Sequence, residues 1–215
     1  MNIKNVLILG DSYSTFKGHI PDGYAHYYAE DRNDEADVRR VEDTWWHKLC
    51  SELNLNLTLN NSWSGSTVGY RGYGNADCSH TSSFISRLEK LYKNGFFEEN
   101  KIDTVLIFGA TNDSWANVEL KEEKYSDFKE DDLFFVLPAI SYLIKRLKEI
   151  LPDGNIIYLI NTDLKPEICT AVKNASVHYN THFIEFSDID KINGHPSIKG
   201  MNSIKNQVKK FILEN

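Results

Sequence analysis

The sequence predicts a three-layer α/β/α sandwich around a mainly parallel sheet of about five strands. Two observations carry that reading. Short apolar segments bounded by turn formers alternate with longer segments of helical period, and 215 residues suffice to bury one continuous core. Strands connected through helices run parallel, and right-handed crossovers distribute the helices over both faces of the sheet. No internal repeat, low-complexity tract or Pro/Gly-rich linker divides the chain, so a single domain over residues 1–215 is expected.

Val6 to Leu9, Thr104 to Phe108, Ile156 to Ile160 and Phe183 to Phe186 read as strands, with Leu55 to Leu59 a weaker fifth. Between Asp132 and Pro152, Leu133, Leu137, Ile140, Ile144, Leu147 and Leu151 follow a 4-3-4-3-4 spacing that places them on one helical face. Pro138 lies inside this pattern, so the helix starts near it or kinks there. Further helices are expected at Trp46/Leu49/Cys50/Leu53, at Phe84/Ile85/Leu88/Leu91 ending at Gly95, and at Ile198/Met201/Ile204/Val208/Phe211. Two connections, Tyr13 to roughly Asp43 and Asn61 to roughly Ser82, are too long for simple crossovers and follow strands, where open α/β sheets bind ligands. They carry Tyr24, Tyr27 and Tyr28, then Trp63, Tyr70 and Tyr73, which serve either to pack the loops or to face a substrate.

Composition excludes several classes. Hydrophobic residues make up 41% and charged residues 26%, and no apolar run approaches the length of a membrane span, ~20 residues. A formal net charge of −7, with basic residues no denser than pairs such as Arg39-Arg40, disfavours nucleic acid as a partner. Cys50, Cys78 and Cys169 are far apart and lack ligand spacing, which argues against a disulfide framework or a structural metal site. Met1 to Leu9 reads as a first strand without the longer apolar region of a signal peptide, and a cytoplasmic location is expected.

Chemistry gathers at the ends of the strands. Gly10-Asp11-Ser12-Tyr13-Ser14 follows the first strand and is expected to expose the Ser12 hydroxyl to a ligand, although Gly, Asp and Ser are also ordinary strand-end and capping residues. An aspartyl-phosphate phosphatase would need a second Asp two positions after Asp11, where Tyr13 stands, and no phosphate-cradling glycine loop is present. Asn61-Ser62-Trp63-Ser64-Gly65-Ser66-Thr67 follows the next strand, Gly109-Ala110-Thr111-Asn112-Asp113 the third, and Gly194-His195-Pro196-Ser197 precedes the last helix.

A Ser in a GDS turn, a Gly in the second loop, an Asn in a G-x-x-N-D loop and a His in an HP dipeptide resemble, in order, the four blocks of the SGNH (GDSL-type) hydrolases. The resemblance covers residues 10 to 200 and implies the flavodoxin-like SGNH hydrolase fold and a serine esterase that needs no metal or other cofactor. It implies Ser12 as nucleophile and His195 as general base. It further implies an oxyanion hole from the backbone N–H groups of Ser12 and Gly65 and the side-chain amide of Asn112.

One position departs from the pattern. Family members usually carry Asp three residues before the catalytic His, and that residue here is Ile192. Asp190 is the preferred substitute, because Lys191 to Gly194 is polar and Gly-containing enough to bend the chain back; Asp188 and a Ser-His dyad oriented by a backbone carbonyl remain open. The expected substrate is a small O-acyl ester, by family analogy an O-acetylated carbohydrate. The alternatives are a non-catalytic glycan-binding module on the same scaffold, or an acyltransferase.

Overall fold

The computed structural model describes residues 3–32 and 36–215. In chain order its regular elements are β1 (Asn5–Gly10), α1 (Trp45–Leu53), β2 (Asn56–Ser62), α2 (Phe84–Lys93), α3 (Phe96–Glu99), β3 (Thr104–Phe108), α4 (Thr111–Trp115), α5 (Val136–Ile150), β4 (Asn155–Ile160), α6 (Pro166–His178), β5 (His182–Glu185), β6 (Lys191–Ile192), β7 (His195–Pro196) and α7 (Ile198–Glu214). The five long strands form one all-parallel sheet in the order β2-β1-β3-β4-β5, and β6 and β7 pair separately as an antiparallel hairpin.

The period-2 alternation of each strand sorts its side chains between two cores. Leu7, Leu9, Val105, Ile107, Ile156 and Tyr158 face α2, α5 and α6. Val6, Ile8, Leu106, Phe108, Ile157 and Leu159 face α1 and α7. Both faces of the central strands are buried, which is why their sequences are continuous apolar runs rather than polar–apolar alternations. The predicted sandwich and its strands are thus observed, and α5 begins at Val136. Pro138 is the third helical residue, where a missing N–H costs no intrahelical bond, so the helix neither breaks nor kinks there.

Helix α6 has no counterpart in the sequence reading. Its buried stripe, Ile168, Ala171, Val172 and Ala175, is half alanine, so its amphipathic contrast is slight; Pro166 at its first position is the start signal that was available. Among the described residues, no helix is long and apolar enough to cross a membrane.

Candidate active site

The sheet brings the ends of its first three strands into register, with Gly10 opposite both Ser62 and Phe108. Gly10 is required by this crowding, since a Cβ there would lie 2.4 Å from Ser62 Oγ and 2.7 Å from Ser14 Cβ. Beyond it the chain turns sharply: the Asp11 N–H donates to Phe108 O at 3.1 Å, and Asp11 Oδ1 caps the one-turn helix Ser12–Ser14 by accepting from the Tyr13 N–H at 3.0 Å. Ser12 is only 2% exposed, which corrects the expectation of an exposed hydroxyl. What covers it is the group it would need, because Ser12 Oγ lies 3.0 Å from Nε2 of His195.

His195 opens β7 directly after a two-residue turn. Asn193 and Gly194 have φ of 48° and 78°, the left-handed pair that an Asn-Gly hairpin turn supplies. The turn sets Ile192 opposite His195 and Lys191 opposite Pro196. Nδ1 of His195 lies 3.2 Å from the Asn193 carbonyl oxygen. A proton held on Nδ1 for that carbonyl leaves Nε2 as the acceptor facing Ser12.

The structure does not bring Asp190 to the imidazole. Its Oδ2 accepts from the Ser197 hydroxyl and its backbone carbonyl accepts from the Ser197 N–H, so it closes the base of the hairpin and supports the cap of α7, where Ser197 Oγ accepts from the Gly200 N–H. The reason is register. The chain does bend back at Gly194, but the turn places Ile192 opposite the histidine and leaves Asp190 two residues further along, roughly 6.7 Å away along a strand. Asp188 is exposed, in a left-handed conformation at φ 53°.

On the other side of Ser12 stand Gly65 and Asn112. Gly65 sits in a left-handed turn at φ 80°, flanked by the Ser64 N–H donating to Ala25 O and the Ser66 N–H donating to Trp63 O. Asn112, on α4, donates from Nδ2 to Ser66 O at 2.9 Å and accepts from the Tyr73 hydroxyl at 3.0 Å. These contacts fix which way the amide points, and Nδ2 keeps a second hydrogen to give. Among the described residues, the N–H groups of Ser12 and Gly65 donate to no acceptor. No cluster of three or more His, Cys, Asp or Glu among the described residues is placed to hold a metal ion.

Residues 4–212 match the family model of the GDSL-like lipases/acylhydrolases. The chain belongs to this family of ester hydrolases. A GDSL-like lipase by assignment from Bacteroides ovatus ATCC 8483 is 42% identical, with 100% of each chain covered and a TM-score of 0.91. A second, from Bacteroides uniformis ATCC 8492, is 39% identical over 99% of this chain and 97% of its own, also at TM-score 0.91. A family two carbohydrate esterase from Clostridium thermocellum, solved in complex with cellohexaose, is 18% identical, with 98% of this chain and 64% of that chain covered and a TM-score of 0.67, a likeness of fold alone. No curated protein is significantly similar to the chain.

Within this GDSL-like frame the structure adds residues that sequence reasoning left out. Arg87, on α2, is buried and cross-braces the site. Its Nη1 donates to the backbone and side-chain oxygens of Asn61, Nη2 to Gly10 O at 3.1 Å and Ser66 Oγ at 3.2 Å, and Nε to Ser82 O at 2.8 Å. Burial pushes its guanidinium down to about 10. Asp113 accepts from the Val68 N–H through both oxygens, at 3.1 and 3.0 Å, and burial pushes its carboxyl and that of Asp11 up to about 7. The loop aromatics divide by role: Tyr13 and Tyr28 donate their hydroxyls to Gly194 O and Pro196 O, Tyr27 lies against the His195 ring, and Tyr24 packs on Trp63.

Proposed function

We propose that the protein is a serine esterase that removes a small acyl group, acetyl in the first instance, from a carbohydrate ester through an acyl-enzyme on Ser12. The observation that carries the reading is the 3.0 Å contact between Ser12 Oγ and Nε2 of His195. As Ser12 attacks the ester carbonyl, His195 takes the hydroxyl proton and then gives it to the departing alcohol; water repeats the sequence on the acyl-enzyme. The undonated N–H groups of Ser12 and Gly65 and the second hydrogen of Asn112 Nδ2 are the donors available to the carbonyl oxygen as it becomes negative. The Asn193 carbonyl, 3.2 Å from Nδ1, is an acceptor suited to keeping the proton there, which leaves Nε2 free to take the Ser12 proton.

The carbohydrate half of the reading is supported by a cleft of about 560 Å³ beside the Gly65 loop, walled by Tyr24, Trp63 and Tyr70 together with His80, Glu89 and Lys93. Flat aromatic faces with hydrogen-bonding groups around them suit a sugar ring. Trp63 joins this cleft to the site, since its N–H donates to Gly10 O and its carbonyl accepts from Ser66. The C. thermocellum neighbour, bound to cellohexaose, agrees with that class of ligand.

The test combines turnover of p-nitrophenyl acetate with a fluorophosphonate label. Covalent mass added at Ser12, absent in Ser12→Ala, is the expected result; a protein that binds oligosaccharide yet never labels would be a glycan-binding module. Acetylated oligosaccharide should be turned over with a lower KM than p-nitrophenyl acetate, and Tyr24→Ala should raise only the former's KM. Equal KM values in both proteins would remove the carbohydrate from the proposal.

A further inference from the structure

We infer that Tyr27 is a positioning residue for the reaction, whose ring face holds the His195 imidazole in plane and favours it as it becomes a cation. The inference rests on the esterase reading above. The two rings lie 3.4 Å apart between centroids and 7° from parallel, a near-complete face-to-face overlap. Trp115 and Tyr28 meet the same imidazole edge-on, at 5.6 Å and 6.5 Å, so the Tyr27 contact differs in kind.

Tyr27 is also tied to the nucleophile. Its N–H donates to Thr15 Oγ1 at 2.8 Å, and Thr15 Oγ1 donates in turn to the Ser12 carbonyl oxygen at 3.0 Å. One short chain of hydrogen bonds therefore fixes the base of Tyr27 to the Ser12 turn while its ring lies on the base that serves Ser12. Arg32 clamps the residue from behind: its guanidinium carbon lies 3.9 Å from the Tyr27 ring centroid, and Nη1 donates to Tyr27 O at 2.6 Å. Two groups this close to one ring centre cannot share a face, so Arg32 and His195 occupy opposite faces of Tyr27.

The stack is suited to catalysis because of its geometry. Neutral aromatic pairs avoid full face-to-face overlap, where the negative faces of both rings meet. A cation over the same face is attracted. The contact is therefore weaker with neutral imidazole than with the imidazolium that forms as Ser12 loses its proton. An interaction that strengthens along the reaction lowers the barrier rather than merely tightening binding.

Three replacements of Tyr27 test this with p-nitrophenyl acetate. Tyr27→Phe keeps the ring and is expected to retain kcat. Tyr27→Leu is expected to lower kcat roughly ten- to thirtyfold with little change in KM, the range that a desolvated cation–π contact supplies. Pentafluorophenylalanine at position 27 keeps the shape but reverses the ring's charge distribution; it is expected to lower kcat as Leu does, and it decides the matter if the Leu variant fails to fold. In NMR spectra, the ring-current shift of the His195 carbon-bound protons should persist in Tyr27→Phe and vanish in Tyr27→Leu. Loss of kcat in Tyr27→Phe, or undiminished kcat with pentafluorophenylalanine, would overturn the inference. His195→Ala separates the two levels: if it too kept full activity, the esterase reading itself would fall, whereas activity lost there but kept in every Tyr27 variant would remove Tyr27 alone.

Discussion

The proposed nucleophile and the proposed base of this site are held by opposite kinds of structure. Ser12 stands at the end of a central strand, among buried polar groups, where Arg87 laces together the ends of β1 and β2, the Gly65 loop and the start of α2. His195 stands on a hairpin whose strands are two residues each, half-buried, with Ile192 37% exposed across from it. Its place is set from outside: Tyr13 and Tyr28 hold the hairpin carbonyls and Tyr27 covers the ring. A sheet edge with a buried hydrogen-bonded network is rigid by construction. A two-stranded hairpin is not stable by itself, so the placement of His195 depends on side chains from the first long loop.

The largest expected effects fall on the strand-end side. Ser12→Ala should abolish turnover by at least about three orders of magnitude, since removing the nucleophile of such a site is not compensated elsewhere. Stability should fall by no more than ~1 kcal/mol, the worth of one hydrogen bond, as read from the denaturation midpoint. Asn112→Ala should lower kcat on the order of a hundredfold with little change in KM, because in the proposed mechanism its spare N–H meets charge that exists only in the transition state. A rise in KM at constant kcat would make Asn112 a ground-state contact and weaken the contrast between the two sides.

Arg87→Leu should cost stability as well as activity. It strands the acceptors on Asn61, Gly10, Ser66 and Ser82 in a buried setting, and breaking such a network costs about 3–5 kcal/mol, which lowers Tm by roughly 10 °C in a chain of this size. Differential scanning calorimetry would check it. A Tm loss of a degree or two would show that the strand ends hold themselves without the brace.

These two sides were also unequally legible in the sequence. Ser12 and Asn112 follow apolar strands and Gly65 follows the weaker β2, each with turn formers, and the parallel sheet that those strands predict brings their carboxyl ends together. His195 was legible from the dipeptide that precedes a helix. The carbonyl oxygen beside its Nδ1 was not, because a backbone carbonyl carries no residue type, and the register of a hairpin decides which neighbour faces the ring. Arg87 escaped notice for a different reason. A charged residue on an amphipathic helix reads as solvent-facing, and its burial follows only once the ends of β1 and β2, the Gly65 loop and the start of α2 supply five oxygen acceptors around it. Tyr27 could not be told from Tyr24 and Tyr28 by sequence, because loops lack the periodicity that assigns side chains to faces.

The buried acids make the contrast dependent on pH. The Asp113 carboxyl ionises near its ordinary value of 3.8 once unfolded but is held up to about 7 when folded. Between these values the folded state binds more protons, so this group's contribution to stability is complete below about pH 4 and is lost as pH rises towards 7. Asp11 acts in the same direction over the same window. Asp113→Asn, which imitates the protonated acid, should flatten the fall in Tm from pH 4 to 7 by on the order of 3 kcal/mol of stability at the upper end. An unchanged slope in the variant would mean that Asp113 is ionised in the folded protein, balanced by the Val68 amide.

The smallest effect is expected at Asp190. In a site where a carboxylate orients the histidine, its loss can cost ~10⁴ in kcat. Here Asp190 Oδ2 is occupied by the Ser197 hydroxyl, and the Nδ1 side of His195 meets the Asn193 carbonyl. Asp190→Asn retains an acceptor oxygen for Ser197, so kcat should change by no more than a few-fold and stability by about 1 kcal/mol, mostly through the cap of α7. Ser197→Ala should show the same stability loss with kcat again nearly intact, since both residues act on the helix start rather than on the ring. If Asp190→Asn lost a thousandfold in kcat while Ser197→Ala did not, Asp190 would have to reach His195 during turnover. The hairpin would then be a moving part, and the stacking of Tyr27 on His195 would describe only its resting position.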